Sequence, residues 1–176
     1  MARVLANVES VNPSATVVLA RSPVTLEPGP PLRDKRVLVV EDGPTLTHGG
    51  MAFGAGTVAA LREGAAELVD PRPSARGVFA DVFAEYPHLG RVIPAMGYSD
   101  EMLRDLEATI DATDADVVVT GTPIDLGRLI TTRHPVRRAR YELHEVGRPT
   151  LVDALSPLLR LLRVSANGVG VPMPAA

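Results

Sequence analysis

The stretch VLVVEDGPTLTHGGMAFGAGTVAAL, residues 37–61, decides how the sequence is interpreted. Its four leading apolar residues are typical of a buried strand, and helical spacing returns near Gly56 and ends at Gly64. The connection between them carries two carboxylates, two threonines, a histidine and five glycines. A strand, a polar loop and a helix in this order predict one repeating unit of an α/β protein.

The same order recurs along the chain. Strands are predicted at 36–40, 66–70, 91–95 and 115–121, with helical periodicity between them. Aromatic residues make up only 3% of the sequence, so the 45% that is hydrophobic must fill the core mainly with Val, Leu and Ala. These features predict an α/β fold with a mostly parallel, Rossmann-like sheet and helices on both faces. A further strand with one polar face is expected over 136–146.

The first part of the chain has a different character. Residues 3–11 have helical spacing and 15–20 form a short apolar run, which predict one helix and one buried strand, too little to fold alone. Three prolines and a glycine between Val24 and Pro31 indicate an extended linker. The predicted organisation is a helix–strand remnant at 1–25, a linker at 26–34, an α/β domain at 35–162 and a disordered tail at 163–176.

Composition excludes several classes of protein. The net charge of −3 gives no reason to expect nucleic acid or an anionic membrane as a partner, and the absence of cysteine excludes disulfides and thiolate metal sites. No run approaches the roughly 18 apolar residues of a membrane span. The opening MARVLANVES is interrupted by Asn7 and Glu9 and is not typical of a signal peptide. We therefore expect a cytoplasmic protein.

The polar loop is the first candidate site, because ligands bind at the carboxyl ends of parallel strands. Glycines before a helix let main-chain N–H groups reach an anion such as phosphate. His48 could donate a proton and, with Asp42, is a catalytic candidate; Glu41 and Asp42 are candidate ligands for Mg²⁺. The phosphate-binding candidates are Thr45, Thr47, Gly49, Gly50, Gly54, Gly56 and Thr57. A plain glycine-rich surface loop is the alternative, since the spacing matches neither a P-loop nor a dinucleotide fingerprint.

Two further segments are weaker candidates. Gly121 and Thr122 follow a predicted buried strand and precede a short helix, so they are phosphate-binding candidates or part of an N-cap turn. The arginines of RRAR, residues 137–140, could neutralise an anionic substrate, although a solvated strand face is the simpler interpretation.

Long segments of the chain resemble the carboxyl-terminal part of the cyclic 2,3-diphosphoglycerate synthetase family, whose bacterial relatives are often described as predicted GTPases. The resemblance runs from about Val4 to Leu155. The segments that carry it are KRVLVVEDGPTLTHGGMAFGAGTVAA, AELVDPRP, YPHLGRVIPAMGYS, RDLEATIDATDADVVVTGTPIDLGRLI and RARYELHEVGRPTL.

The resemblance implies an ATP-dependent ligase in which a phosphoryl group of 2,3-diphosphoglycerate is activated and an intramolecular phosphoanhydride forms, with Mg²⁺ and ATP or GTP as cofactors. Family members are more than twice this length and carry a P-loop and an Asn-Lys-x-Asp stretch, whereas no G-K-[ST] occurs in this sequence. We therefore expect residues 1–25 to resemble the end of a P-loop domain, and the chain alone to be inactive. A homodimer, or a separate chain carrying the P-loop, is an expected partner. A non-catalytic module that binds a phosphorylated metabolite or a partner is the alternative.

Overall fold

The computed structural model describes residues 1–167, with side chains described through residue 160. The helices are α1 (Ala2–Val11), α2 (Gly43–Thr47), α3 (Ala55–Arg62), α4 (Val78–Glu85), α5 (Asp100–Ala112) and α6 (Leu151–Asn167). The strands are β1 (Ala20–Arg21), β2 (Val24–Leu26), β3 (Arg36–Asp42), β4 (Glu67–Leu68), β5 (Ile93–Ala95), β6 (Val117–Gly121), β7 (Val136–Tyr141) and β8 (His144–Glu145). Short 3₁₀ turns cover Arg72–Ser74 and Leu126–Arg128.

The described chain forms two compact units, one of residues Val24–Glu142 and one that joins Met1–Pro23 to the residues from Leu143 onward. The larger unit is an α/β fold around a six-stranded sheet in which β2, β7, β6 and β3 are neighbours in that order. Both β4 and β5 pair with β3, at its beginning and at its end respectively. The α/β prediction is therefore confirmed.

The sheet is mixed rather than wholly parallel. Strands β4, β5 and β6 are each parallel to β3, and β7 is parallel to β6, so the carboxyl ends of these strands lie at one edge of the sheet. The exception is β2, which pairs with β7 in the antiparallel sense. This edge strand lies in the proline-containing stretch after Val24.

The core of the larger unit follows from the apolar runs. Val37–Val40 are fully buried in the central strand, and the adjacent β6 is buried along its whole length. Such runs are typical of parallel strands covered on both faces. Helix α5 begins where the sequence predicted, because the Ser99 hydroxyl accepts a hydrogen bond from Met102 N–H at 3.3 Å.

The smaller unit has little sheet structure. Helix α1 forms as predicted, but the buried strand predicted at 15–20 is wrong: only Ala20 and Arg21 form a strand, paired with β8. Val17 and Leu19 are each more than one-third exposed, because the run before Ala20 has no strand partner. The single strand predicted at 136–146 is divided into β7 and β8, which belong to different sheets.

Residues 163–167 of the predicted tail lie in α6, and the rest of the tail lies outside the described residues. Among the described residues, no helix is long and apolar enough to cross a membrane.

Candidate functional site

The buried carboxylate of Glu41 binds the amino-terminal end of α3. Glu41 is 1% exposed, and its Oε1 accepts hydrogen bonds from the N–H groups of Gly54 at 3.0 Å and Thr57 at 2.8 Å. Its Oε2 accepts a third from Gly56 N–H at 3.1 Å. A helix amino terminus favours a negative charge, and here a side chain of the protein supplies it. Two of the main-chain N–H groups predicted to bind a phosphate, those of Gly54 and Gly56, thus donate to Glu41 instead, together with the N–H of Thr57.

The glycines around this carboxylate are required by space. A Cβ on Gly121 would lie 2.2 Å from Glu41 Oε2 and 2.6 Å from the nitrogen of Gly56. A Cβ on Gly54 would lie 2.7 Å from the same oxygen, and one on Gly56 would lie 2.9 Å from a methyl carbon of Val39. The close approach of α3 to the ends of β3 and β6 accounts for glycine at all three positions.

The charge state of Glu41 is set by opposing effects. Burial raises the pKa of its carboxyl, whereas the backbone N–H bonds from Thr57, Gly56 and Gly54 lower it, and the net pKa is raised above the ordinary value. The Thr57 hydroxyl oxygen is also buried and has no hydrogen-bond partner among the described residues.

The polar segment after Glu41 is a short helix, α2, that the sequence analysis did not predict. Asp42 begins it, because its Oδ2 accepts hydrogen bonds from Thr45 N–H at 3.3 Å and from the Thr45 hydroxyl at 2.5 Å. Pro44 lies in the first turn, where its lack of an N–H has no cost.

The next polar groups also bond within this segment. The Thr47 hydroxyl donates to Gly43 O at 3.0 Å, and His48 Nδ1 lies 3.1 Å from the same hydroxyl oxygen. Gly49 N–H donates to Pro44 O, and Gly50 has a positive φ of 62°. Most of the donors predicted to bind a phosphate here already have partners within the protein. The phosphate site in this loop stays a prediction.

The predicted magnesium ligands differ in their availability. Both oxygens of Glu41 are held by main-chain N–H groups, so this carboxylate does not fit a metal ligand. Asp42 keeps Oδ1 outside the hydrogen bonds that cap α2, and one carboxylate combined with substrate phosphates is a common arrangement for Mg²⁺. The described residues contain no group of three or more His, Asp or Glu side chains placed to hold a metal ion.

A groove lies beside the carboxyl ends of β6 and β7 in the larger unit. Its volume is about 260 Å³. The residues that line it are Thr122, Pro123, Arg138, Ala139, Arg140, Tyr141 and Glu142. Of the residues predicted from the sequence, the groove contains Thr122, whose hydroxyl donates to Ile124 O at 2.6 Å.

Arg138 is the cation of this groove with the most restricted side chain. Its side chain is 16% exposed; one terminal nitrogen donates to Pro123 O, and the other lies 3.7 Å from Asp125 Oδ2. The Nε of Arg138 is buried and has no hydrogen-bond partner among the described residues. A buried guanidinium N–H without an acceptor is unfavourable. The Arg138 side chain as a whole lines the groove and is 16% exposed, so its charge is available to an anion there.

The neighbouring arginines have structural partners. Arg137 is 8% exposed and donates to Glu27 O and Pro30 O, each at 3.0 Å, so the interpretation of RRAR as a solvated face is wrong for this residue. Arg140 pairs with the Glu27 carboxylate. Arg138 also has partners, Pro123 O and the Asp125 carboxylate, and differs from the other two in its buried Nε, which has no acceptor among the described residues.

Two tyrosines border the same edge of the sheet and were not predicted as site residues. Burial raises the pKa of Tyr98, and the nearby Asp42 and Tyr141 raise it further. Tyr98 thus lies near both the end of β3 and the groove. The signal that could have found these residues is their position at the carboxyl ends of strands, since Tyr98 follows β5 and Tyr141 is the last residue of β7.

Comparison with known proteins gives one informative match. The chain is 51% identical over 153 residues to arginine synthetase ArcE of Thermococcus kodakarensis, a match that covers 87% of this chain and 34% of the relative. This synthetase is itself a cyclic 2,3-diphosphoglycerate synthetase family member. Over the matched residues the chain is similar to the carboxyl-terminal part of a member of that family. The resemblance found in the sequence is therefore confirmed. No family model matches the chain, and no solved structure matches it.

The match to the family has a limited extent. The chain spans about one-third of the length of this relative, so most of the synthetase has no counterpart in the aligned residues. The aligned part supports a relation to a synthetase, and it leaves the substrate to be proposed from the site.

Proposed function

We propose that this chain forms the acid-binding part of a synthetase and that the groove beside Arg138 receives an anionic group of the substrate. The observation that carries the proposal is the buried Nε of Arg138, which has no acceptor among the described residues although its side chain lines the groove. A carboxylate or phosphate oxygen in the groove would accept a charge-assisted hydrogen bond from the guanidinium of Arg138.

The substrate proposed from the family is a phosphorylated acid such as 2,3-diphosphoglycerate, in which activation of one phosphate leads to an intramolecular phosphoanhydride. The relative is named for arginine instead. Both molecules carry a carboxylate at neutral pH, and the groove is suited to that shared group. Which of them binds is decided by the phosphate or guanidinium at the other end of the molecule.

Nucleotide chemistry is proposed to reside in another part of the synthetase. The sequence contains no G-K-[ST], and phosphoryl transfer from ATP or GTP needs a phosphate cradle. We propose that α1 and β1 correspond to the end of such a nucleotide-binding domain. Asp42 is the residue that would share a Mg²⁺ ion with substrate phosphates, whose charge the ion would neutralise.

Titration calorimetry tests the groove with a matched pair of variants. Wild-type protein with Mg²⁺ is titrated with 2,3-diphosphoglycerate, L-arginine and inorganic phosphate, and the titrations are repeated with Arg138→Gln and Arg128→Gln. Both arginines lie near the carboxylate of Asp125, but the Arg128 side chain is 85% exposed. Loss of one charge-assisted bond of about 1.5–3 kcal/mol predicts at least tenfold weaker binding in Arg138→Gln and little change in Arg128→Gln.

The three ligands separate the possible substrates. Preference for 2,3-diphosphoglycerate supports the phosphorylated acid, and preference for arginine supports the chemistry named for the relative. Absence of binding by all three, or equal affinity in both variants and wild type, would refute the groove as the acid site.

A non-catalytic module that binds a phosphorylated metabolite is the second candidate, favoured by the absence of G-K-[ST] from this sequence. We expect the isolated chain to bind ligand without ATP or GTP turnover. Nucleotide turnover that persists through purification and disappears in Asp42→Ala would contradict this candidate.

A further inference from the structure

The cationic side chain of the groove, Arg138, has an acidic neighbour. One terminal nitrogen of its guanidinium lies 3.7 Å from Asp125 Oδ2. Asp125 follows β6, begins the 3₁₀ turn Leu126–Arg128 and is not among the residues that line the groove. The separation of 3.7 Å exceeds the roughly 2.7–3.2 Å of an N–H···O hydrogen bond, so Asp125 acts on Arg138 mainly through its charge.

The carboxylate of Asp125 is not used to build the turn that contains it. Its side chain makes no capping hydrogen bond, and main-chain bonds close the turn, from Arg128 N–H to Asp125 O at 3.1 Å and from Leu129 N–H to Leu126 O at 2.9 Å. The ion pairs of the carboxylate join it to Arg128, at 3.3 Å, and to Arg138. The Arg128 side chain is 85% exposed, so solvent weakens the first pair, whereas the less exposed Arg138 is screened less.

The orientation of the Arg138 guanidinium does not depend on Asp125 alone. Its other terminal nitrogen donates to Pro123 O, and strand β7 holds its main chain. Removal of the Asp125 charge therefore leaves an anchored guanidinium that lines the groove. Arg140, the second arginine of the groove, is already paired with the Glu27 carboxylate. What Asp125 changes is the positive charge that an anion in the groove meets.

We propose that Asp125 sets the specificity of the groove by offsetting part of the charge of Arg138, so that a singly charged carboxylate binds in preference to a doubly charged phosphate. This inference rests on the proposed acid site and names the anionic group that occupies it. The attraction of an anion to Arg138 grows in proportion to the charge of the anion, whereas the cost of removing it from water grows with the square of that charge. A partly neutralised guanidinium offsets that cost for one charge and not for two.

The test titrates two simple anions into the full chain at constant ionic strength. Acetate supplies a singly charged carboxylate, and inorganic sulfate has the tetrahedral shape of phosphate and carries two charges at neutral pH. Binding is followed by the Nε–H signal of Arg138 in a proton–nitrogen correlation NMR spectrum, where loss of the signal in Arg138→Gln identifies it. Wild type is compared with Asp125→Asn, with Asp125→Glu and with Asp114→Asn.

Asp114→Asn is the matched control. Asp114 also pairs with an arginine, Arg36, at 2.6 Å, but it is 89% exposed and precedes β6, so this variant removes the same charge at the opposite edge of the sheet. The groove residues Arg140 and Glu142 are unchanged in every variant. Circular dichroism checks the fold, and Asp125→Ser replaces Asp125→Asn if the latter is altered.

Wild type is expected to bind acetate more tightly than sulfate. Asp125→Asn should bind acetate about twofold and sulfate about fourfold more tightly, because the repulsion from one carboxylate is twice as large in energy for a dianion. Asp125→Glu keeps the charge and should keep the wild-type order, and Asp114→Asn should bind like wild type.

The possible failures separate this inference from the proposed acid site. Tighter binding of sulfate than of acetate by wild type, equal or weaker sulfate binding by Asp125→Asn, or an equal gain in Asp114→Asn would overturn the role of Asp125 and leave the groove as an anion site. If neither anion moved the Arg138 signal in wild type or in Asp125→Asn, the acid site itself would be refuted, and this inference with it.

Discussion

Two charged side chains, Glu41 and Arg138, lie at the edge of the sheet where the parallel strands end, and they differ in whether their polar atoms have hydrogen-bond partners. At the amino terminus of α3, the carboxylate of Glu41 is 1% exposed and accepts three main-chain N–H bonds. In the groove beside β7, Arg138 has a buried Nε with no acceptor among the described residues. The first place is an anion site already filled by the protein, and the second has an unused donor.

A glycine-rich loop before a helix therefore does not by itself indicate an external phosphate. The same backbone geometry serves a buried side chain of the preceding strand, and the glycines then provide space for that side chain. The candidate acid site is instead a groove lined by an arginine whose buried Nε has no acceptor among the described residues, a feature that no sequence pattern of the loop indicates.

Gly121→Ala tests the space around Glu41 and has the largest expected effect. The added Cβ would lie 2.2 Å from Glu41 Oε2 and 2.6 Å from the nitrogen of Gly56, so the strand and helix must move apart. We expect the free energy of unfolding to fall by about 3 kcal/mol, as for a severe overpacking change. Urea unfolding followed by circular dichroism measures it.

Gly127→Ala is the control for that variant, because its Cβ would lie 3.4 Å from its nearest contact, Asp125 Oδ1, and would need no movement of the backbone. Equal stability of the two variants would show that α3 is not packed against β6 as closely as described.

Glu41→Gln tests the hydrogen bonds at the filled site. The amide nitrogen of glutamine cannot accept an N–H bond, so at least one of the donors from Gly54, Gly56 and Thr57 loses its acceptor in a buried place. We expect a loss of about 1–3 kcal/mol in the free energy of unfolding at pH 5. Glu67→Gln is the comparison, since the ion pairs of this half-exposed residue predict a change of about 0–1 kcal/mol. A larger effect in Glu67→Gln would contradict the assignment.

The pH dependence of stability is a second test of the buried Glu41 carboxylate. Burial raises the pKa of Glu41 in the folded protein above its ordinary value of 4.5, so between these two pKa values the native chain binds more protons at this group than the unfolded chain. The free energy of unfolding therefore falls as pH rises through that window. The contribution of Glu41 is complete below about pH 4.5 and is lost as pH rises through the folded pKa.

The free energy of unfolding is measured for wild type and Glu41→Gln across pH 4 to 8. Subtracting one from the other cancels the contribution of the titratable groups that both proteins share. We expect the advantage of wild type to shrink with rising pH. A difference that grows with pH would mean that the three N–H bonds outweigh burial.

Much of the fold of the larger unit could be predicted, because its central strands are continuous apolar runs. Val37–Val40 and Val117–Val119 are buried on both faces of the sheet, which is the environment that such runs indicate. The run at 15–20 is equally apolar, but only its last residue finds a strand partner. Whether an apolar run becomes a strand depends on pairing with distant segments of the chain, and the local sequence pattern does not show that pairing.

The candidate site was harder to predict, for identifiable reasons. Glu41 extends a fully buried run, which was the available signal that its carboxylate points inward and that the glycines serve it. Helix α2 was missed although Asp42 followed by Pro44 is a recognisable helix start. Arg138 resembles its neighbours in sequence, and only the register of β7 separates it from Arg137, which bonds to Glu27 O and Pro30 O.

The Thr47→Ala/His48→Ala double variant has the smallest expected effect and decides between the polar loop and the groove. The Thr47 hydroxyl donates to Gly43 O, and His48 Nδ1 lies 3.1 Å from that hydroxyl, so neither group is free for a ligand at these atoms. Calorimetric affinity for 2,3-diphosphoglycerate should therefore change by less than about threefold, or roughly 0.7 kcal/mol. If the loop were the phosphate site, loss of two charge-assisted bonds would weaken binding by more than about 100-fold. Thr47→Ser keeps the hydroxyl and controls for a change in α2 itself. A large loss in the double variant, with Arg138→Gln binding like wild type, would move the acid site from the groove to the loop.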